Sequence, residues 1–285
     1  MDRRCPRNVG LPLVASLCVR HTGSDCKVAE MRIISHTCSN TEIVCALGCA
    51  DQLVGVDADS DYPPDVVTKL PKLGRDLSLD VAAVRKLEPD LVLTSLTVPG
   101  HERVVAALQV AGLQMLVCDP QSLDDVYADI HRIAATLGVA ARGVALVASM
   151  QAAMPAVTPL GRRPRVLVEW WPKPVIAAAR HSWVSDIIWR AGGSNPWAEV
   201  DAKSVPMEYA DAAAKQPELV VMSWCGVKVE HYRTDKVRTR PGWEVVPAVV
   251  NDHIVPISEE FLGRPGPRLV EGYRQLRTAI ANLPI

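Results

Sequence analysis

The stretch "KLEPDLVLTS" (86–95) has a counterpart in "KQPELVVMSW" (215–224), and this repeated pattern decides the fold. In both stretches the end of a helix is followed by a proline, an acid and an uninterrupted apolar run. Such a run predicts a strand with both faces covered, as in a parallel sheet flanked by helices. Because the pattern occurs once in each half of the chain, we predict two lobes, each of α/β structure.

A predicted helix lies upstream of this strand in each half. The segments "NTEIVCALGC" (40–49) and "VSDIIWRAGG" (184–193) each combine a capping residue near the start with a glycine near the end. Such residues are typical of helix limits. Each half therefore has the order strand, helix, short connection, helix, strand.

A helical region joins the two halves. The segment "SLDDVYADIHRIAATLG" (122–138) has apolar residues at helical spacing, and an alanine-rich helix follows it. We predict an N-terminal extension or weak signal segment at 1–30, an N-terminal α/β lobe at 31–138, an interlobe helix and linker at 139–163, and a C-terminal α/β lobe at 164–285. Ligands of open α/β sheets bind outside the carboxyl ends of the strands, so we expect the site in the cleft between the lobes.

Composition and motifs favour a binding protein over an enzyme. The 285 residues include 31 basic and 32 acidic side chains, a net charge of −1 that gives no nucleic-acid or polybasic membrane footprint. The common catalytic templates GxSxG, HExxH, GxGxxG and the P-loop are absent from the sequence. Its eight cysteines show no CxxC or zinc-finger spacing. We predict no catalytic residues, no metal site and no cofactor apart from the ligand.

The stretch "VEWWPKP" (168–174) ends a predicted strand with two adjacent tryptophans. Because a strand alternates its faces, Trp170 and Trp171 cannot both point into one core. Pro172 and Pro174 are expected to end the pairing of this strand. A flat indole suits a half-buried position against a ligand, so at least one ring is predicted to face the cleft. The alternative is that both rings hold the lobe to a helix.

Three further stretches carry a family resemblance: "RIISHTCSNTEIVCALGCADQLVGVDADSDYPP" (32–64), "LxPDLVL" (87–93) and "FLGRPGPRLVEG" (261–272). From about Met31 to the C-terminus the chain resembles the helical-backbone (class III) periplasmic substrate-binding proteins of ABC importers, most of all the cobalamin-binding branch. The resemblance implies two Rossmann-like lobes joined by a single long α-helix. It also implies a monomer that carries a metal chelate to a membrane permease and catalyses nothing.

The resemblance and the strand ends together suggest a set of ligand-binding residues. His36 is expected to be solvated or hydrogen-bonded, with contact to a metal centre as the alternative. Asp59 stands where the cobalamin branch has an aromatic residue. The candidates for ligand contact are Cys38, Ser39, Asp59, Tyr62, Ser95, Trp170, Trp171, Trp224, Glu259, Phe261 and Arg264.

Three ligand and partner hypotheses follow from the resemblance. The first is cobalamin or a related corrinoid, bound in the cleft and delivered to a permease. The second is a ferric siderophore or haem on the same fold. The third is an intracellular corrinoid-binding protein without a transporter. Siderophores are anionic and usually require several cleft arginines, whereas Arg264 is the clear candidate here, so the first hypothesis leads.

Permease docking is also implied by the resemblance. In the family, an acid in each lobe, seven residues before the proline of the repeated pattern, pairs with arginines of the permease. Those positions hold Ala82 and Ala210 in this chain. The nearby acids Asp80, Glu208 and Asp211 are the candidates for a shifted docking surface.

The first thirty residues bear on localisation. "MDRRCPR" (1–7) is basic and "VGLPLVASLCV" (9–19) is apolar, but Pro12 interrupts the run and no clear cleavage site follows. Met31 is a possible alternative start. The resemblance favours export, so we predict the periplasmic or extracellular face of the membrane, with the cytoplasm as the alternative.

Overall fold

Two separate sheets carry the repeated apolar strands in the computed structural model, which describes residues 31–159 and 161–284. The predicted segment 1–30 lies outside the described residues. The strands are β1 (Ile33–Ser35), β2 (Leu53–Val56), β3 (Gly74–Arg75), β4 (Ser78–Leu79), β5 (Leu91–Ser95), β6 (Met115–Cys118), β7 (Val166–Pro172), β8 (Val175–Ala178), β9 (Ser204–Met207), β10 (Leu219–Met222) and β11 (Ile254–Pro256).

Helices surround both sheets. They are α1 (Cys38–Ala46), α2 (Pro64–Val67), α3 (Val81–Lys86), α4 (His101–Val110), α5 (Leu123–Thr136), α6 (Ala140–Ala153), α7 (Trp183–Arg190), α8 (Tyr209–Ala214), α9 (Asp235–Arg238), α10 (Pro247–Val250), α11 (Glu259–Leu262) and α12 (Leu269–Ala281). In the described part of the chain, no helix is both long and apolar enough to span a bilayer.

The N-terminal sheet has the order β2-β1-β5-β6, and all its pairs are parallel. The central strand β5 is the apolar run of the repeated pattern, and all five of its residues are buried. The hairpin of β3 and β4 stands apart from this sheet. Gly74 begins the hairpin at φ 91°, and a Cβ there would lie 2.5 Å from the carbonyl oxygen of Ser78, so the turn requires glycine.

The C-terminal sheet has the order β11-β10-β7-β8-β9. Strand β10 is the second copy of the pattern and pairs in parallel with β7 and β11. Strands β8 and β9 are antiparallel additions at the edge. Strand β7 ends at Pro172, as expected, and Pro172 forms the last pair of the ladder with Val175 at the start of β8. A proline at the end of a strand needs to donate no further ladder hydrogen bond there.

Helix α5 lies between the two sheets and packs against α1, α6 and α7. Its buried residues Ile130 and Ile133 belong to one apolar cluster that reaches both Leu93 of β5 and Val168 of β7. Gly143 allows the close approach of α6, since a Cβ there would lie 2.5 Å from the Cβ of Ala134. One apolar cluster thus reaches both sheets, and each sheet has a further cluster on its other face.

Helix α6 has 14 residues, a length of about 21 Å. It follows the last strand of the first sheet and precedes the first strand of the second. This order supports the predicted limits, and we propose 31–138 as the N-terminal lobe, 139–163 as the interlobe helix and linker, and 164–285 as the C-terminal lobe.

Candidate functional site

The carboxyl ends of the parallel strands carry the polar loops of both lobes. In the N-terminal lobe, residues 36–42 follow β1 and residues 57–62 follow β2. In the C-terminal lobe, residues 257–268 follow β11. These loops meet across the cleft, because Arg264 Nη1 lies 2.5 Å from Asp61 Oδ1 and Arg264 Nη2 lies 3.2 Å from Asp61 Oδ2.

Arg264 has all three guanidinium nitrogens occupied by carboxylates of the chain. Besides the contacts to Asp61, its Nη1 lies 3.3 Å from Glu42 Oε1 and its Nε lies 3.4 Å from Glu259 Oε1. The side chain is 11% exposed. Arg264 was a predicted ligand contact. In this structure it binds Glu42 and Asp61 of the N-terminal lobe and Glu259 of its own lobe.

A second arginine extends this ion cluster. Arg268 Nη1 lies 3.2 Å from Glu42 Oε1, and Arg268 Nη2 lies 2.6 Å from Glu260 Oε2. Its guanidinium also lies 4.3 Å from the ring centroid of Tyr62 and 4.8 Å from that of Phe261, at cation–π distance. The Arg264 cluster consists of Arg264, Arg268, Glu42, Asp61, Glu259 and Glu260.

Glu42 is the most buried acid of the Arg264 cluster, with its side chain 2% exposed. Its Oε2 has no hydrogen-bond partner among the described residues. Burial raises the pKa of Glu42 to about 7, although the charges of Arg264 and Arg268 act in the opposite direction. Burial also raises the pKa of Glu259. For Asp61, burial acts to raise the pKa, but the hydrogen bonds and charge of Arg264 lower it overall.

The two tryptophans at the end of β7 have different surroundings. Trp171 is 41% exposed, whereas Trp170 is partly buried and packs against the core shared by the two lobes. A bulge separates Glu169 from Trp171 in the pairing with β8. Trp171 is therefore the indole at this strand end that a ligand can reach.

Trp224 follows β10 and is only 5% exposed. Its Nε1 donates to Glu169 Oε1 at 2.8 Å, and its carbonyl oxygen accepts from the Tyr232 hydroxyl at 3.0 Å. These contacts anchor the ring inside the C-terminal lobe. Its predicted contact with a ligand stays a prediction. The hydrogen bond to Glu169 shows that the Trp224 ring supports the end of β7.

Glu169 and Arg240 were not singled out from the sequence. Both carboxylate oxygens of Glu169 bind Arg240, each at 2.7 Å, and the two side chains are 0% and 1% exposed. An acid inside the apolar run of β7 was a usable signal, because a buried charge requires a partner. Nothing local in the sequence points to Arg240, which lies 71 positions away.

A group of buried hydroxyls lies at the carboxyl ends of β1 and β5 in the N-terminal lobe. Ser39 and Ser95, both predicted contacts, are 5% and 1% exposed. Thr37 Oγ1 lies 3.3 Å from Ser39 Oγ and accepts from Ser95 Oγ at 3.4 Å. Cys38, another predicted contact, is partly buried and donates its thiol to the carbonyl oxygen of Asp59 at 3.0 Å. Burial raises the pKa of this thiol, so it stays protonated at neutral pH.

Asp59 and His36 hold the hairpin of β3 and β4 in place. Asp59 accepts from Arg75 Nη2 at 3.1 Å and from the amide of Asp76 at 3.0 Å. His36 is fully buried, and its Nε2 lies 2.6 Å from the carbonyl oxygen of Asp76. Because a carbonyl only accepts, Nε2 carries the proton and Nδ1 accepts from Thr94 Oγ1 at 2.7 Å. The expected hydrogen-bonded role of His36 is confirmed.

The candidate docking acids lie exposed at helix starts. Asp80 caps α3 by accepting from the amide of Ala83 at 3.0 Å. Glu208 occupies the N-cap position of α8, and Asp211 lies in its first turn. Next to Asp80 the surface is an apolar groove between α3 and α4, lined by Val81, Ala82, Arg85, Ala106, Ala107, Val110 and Ala111.

Within residues 31–159 and 161–284, no group of three or more His, Cys, Asp or Glu side chains is arranged to hold a metal ion. The five cysteines of these ranges are unpaired thiols.

Two α/β sheets with helix α5 between them, and carboxyl-end loops that meet at Arg264, fit the class of substrate-binding proteins that serve ABC importers. Residues 33–260 match the family model described as "Periplasmic binding protein", and the chain belongs to this family. Its fold is that of the class III periplasmic binding proteins, as predicted. Membership of this family also agrees with the predicted periplasmic or extracellular location.

Known relatives cover nearly the same length. The ABC transporter substrate-binding lipoprotein YvrC of Bacillus subtilis (strain 168) is 28% identical over 263 residues, 89% of this chain and 81% of the relative. The vitamin B12-binding protein of Vibrio cholerae serotype O1 is 24% identical over 250 residues, 87% of this chain and 88% of the relative. The periplasmic heme-binding protein RhuT from Roseiflexus sp. RS-1 in apo form is 28% identical with a TM-score of 0.74, covering 88% of this chain and 98% of that structure.

Proposed function

We propose that this protein binds cobalamin or a related corrinoid in the cleft between its lobes and delivers it to the permease of an ABC importer. The observation that carries the proposal is Trp171, which presents a 41% exposed indole at the carboxyl end of β7. A corrin is a broad, mostly apolar macrocycle edged with amides. A flat indole covers such a surface with little loss of conformational entropy.

The opposite side of the cleft suits the amide edge of such a ligand. The hydroxyls of Ser39, Ser95 and Thr37 can each donate and accept, which is what an amide requires from its surroundings. The similarity to a vitamin B12-binding protein supports the same ligand class. We propose as ligand contacts Trp171, Trp170, Tyr62, Phe261, Cys38, Ser39, Ser95, Asp59, Glu259, Arg264 and Trp224, the last of which also supports the end of β7.

Haem or a ferric siderophore is the second candidate. The similarity to the heme-binding protein RhuT, at 28% identity, favours haem over the siderophore. Haem and most siderophores carry carboxylates or other anionic groups. Both cleft arginines are already bound to carboxylates of this chain, which supports the corrinoid as the first candidate.

Delivery to a permease is the further part of the proposal. We propose Asp80, Glu208 and Asp211 as the acids that dock on the permease, with the protein acting as a monomer outside the cytoplasmic membrane. The similarity to an ABC transporter substrate-binding lipoprotein supports this partnership.

A ligand comparison tests the proposed function. The purified full-length protein is mixed separately with cyanocobalamin, haemin and a ferric hydroxamate siderophore, and the ligand absorbance and the melting temperature are recorded. Ligand at 100 times its Kd stabilises the folded protein by about 2.7 kcal/mol, so cyanocobalamin is expected to raise the melting temperature. A shift with haemin and none with cyanocobalamin would replace the corrinoid by the second candidate.

A further inference from the structure

The Arg264 cluster places an excess of acid at the meeting point of the two lobes. Two guanidinium groups face four carboxylates, so the cluster has a formal charge of −2 when all its groups are ionised. If Glu42 holds a proton, the charge is −1. In either state the cluster is an acidic surface, although two arginines lie at its centre.

Carboxylates of the chain occupy all three nitrogens of Arg264 and both Nη atoms of Arg268. Arg264 binds Asp61, Glu42 and Glu259. Arg268 binds Glu42 and Glu260, and the rings of Tyr62 and Phe261 lie against its guanidinium. A ligand carboxylate would have to displace a carboxylate of the chain to form a bidentate pair with Arg264.

A second observation indicates which groups the cluster accepts. Glu42 Oε2 is buried and has no partner among the described residues, although a buried carboxyl oxygen is normally hydrogen-bonded. While Glu42 is ionised, this oxygen accepts from an N–H group and repels another carboxylate. The primary amides at the edge of a corrin offer N–H groups, whereas the propionates of haem offer only acceptors.

We propose that the Arg264 cluster is a charge filter, which disfavours ligands with carboxylates at the cleft and admits uncharged, amide-edged ones. Asp61 and Glu260 are its specificity-determining residues, because each neutralises one arginine from the more exposed side of the cluster, with side chains 54% and 37% exposed. This inference deepens the proposed function and rests on it for the identity of the favoured ligand.

The test is a gain of affinity for an anionic ligand. In the double variant Asp61→Asn and Glu260→Gln, both arginines keep their charge and lose an acidic partner. The Kd for haemin is expected to fall about tenfold or more, since two nearby repulsive charges are removed. The ratio of the haemin Kd to the cyanocobalamin Kd falls with it. A haemin Kd equal in wild type and double variant overturns the proposal.

The matched control is Glu271→Gln in the same lobe. Glu271 is 34% exposed and paired with an arginine, as Glu260 is, but it binds Arg274 of its own helix and not the cluster. Its haemin Kd is expected to stay at the wild-type value. A gain in haemin affinity as large as in the double variant would mean that the general surface charge, and not the Arg264 cluster, sets the preference for uncharged ligands.

Salt dependence in the wild-type protein tests the filter without any substitution. The probes are cyanocobalamin and its derivative with one peripheral amide hydrolysed to a carboxylate. Screening weakens repulsion, so added salt should narrow the affinity gap between the two probes. A gap that stays constant or widens with salt contradicts the filter.

The outcomes separate the filter from the proposed function. If the wild-type protein does not bind cyanocobalamin, the corrinoid proposal is wrong. The haemin Kd of wild type and double variant still tests the charge filter in that case. If the double variant does not fold, the single variant Glu260→Gln replaces it, with the same direction of change and the same contradicting result.

Discussion

The carboxylate of Glu169 and the guanidinium of Arg240 form a bidentate ion pair inside the C-terminal lobe, with both nitrogen–oxygen distances at 2.7 Å. The pair lies directly behind the candidate cleft, because Glu169 precedes Trp170 in β7 and also accepts from Trp224 Nε1. The guanidinium carbon of Arg240 lies 4.6 Å from the Trp243 ring centroid. The end of β7, the indole of Trp224 and the Glu169–Arg240 ion pair are thus connected to one another inside the lobe.

We expect Arg240→Met to destabilise the protein by about 3–5 kcal/mol, because it leaves the Glu169 carboxylate buried without its partner. Chemical denaturation measures the change. The control is Arg162→Met, which removes the partner of Glu218 at the surface and should change the free energy of unfolding little. Equal losses of unfolding free energy in the two variants would show that the buried ion pair contributes no more to stability than the surface pair.

Trp171→Ala should weaken cyanocobalamin binding by about 1–3 kcal/mol, the scale of burying a large apolar side chain. The melting temperature should barely change, because the ring is 41% exposed in the free protein. Trp170→Ala should lower the melting temperature, since that ring packs against the core. Binding is measured by titration of the ligand absorbance.

The control for this pair is Trp189→Ala, which removes a 54% exposed indole that stacks on Arg163 in the C-terminal lobe. It should leave the Kd unchanged. If Trp171→Ala binds normally while Trp189→Ala does not, the candidate cleft is misplaced.

Glu42 should make stability fall with rising pH. Its folded-state pKa of about 7 lies above its ordinary value of 4.5, so the folded protein holds the proton more tightly than the unfolded chain. This contribution is fully present below pH 4.5 and is lost as the pH rises through about 7. The free energy of unfolding of wild type relative to Glu42→Gln should fall by about 3 kcal/mol at most across this window.

Glu271→Gln serves as the control for Glu42, because the hydrogen bond from Arg274 lowers the pKa of Glu271 to about 2, outside the window. Its difference from wild type should change little between pH 4.5 and about pH 7, the window given for Glu42. A flat difference for Glu42→Gln as well would mean that Arg264 and Arg268 keep Glu42 ionised.

The docking proposal predicts a loss of transport without a loss of ligand affinity. Asp80→Asn removes a charge but keeps a good N-cap for α3, and Glu208→Gln removes the charge at the start of α8. Ligand uptake by cells with the double variant should fall, while the Kd of the purified protein stays constant. Asp252→Asn, just before β11 at the amino end of its sheet, is the control expected to transport normally. Undiminished uptake by the double variant would rule these acids out.

Several elements of the fold could be predicted from the sequence because their causes are local. The proline, acid and apolar run of the repeated pattern became β5 and β10. The helix expected at 184–193 is α7, whose N-cap Ser182 accepts from the amide of Val184. Apolar spacing, capping and proline placement act within a few residues, so they can be recognised in one sequence.

The candidate site was only partly predictable. Its loops were expected at the carboxyl ends of the strands, and Arg264 and Trp171 were expected among its residues. The burial of Trp224 and the bulge between Glu169 and Trp171 were not expected. Strand direction and bulges decide which way a side chain at a strand end points, and these depend on the neighbouring strands.

Two α/β lobes are predictable from the sequence because apolar periodicity and turn residues act locally along the chain, and the binding function was indicated by the family resemblance. The contacts of Arg264 with Glu42 and Asp61, which lie 222 and 203 positions away, and the pairing of Arg240 with Glu169 arise only when the chain is folded. Packing of distant segments brings such charges together. The strength of each ion pair depends on its burial, and burial cannot be read from the residue type alone.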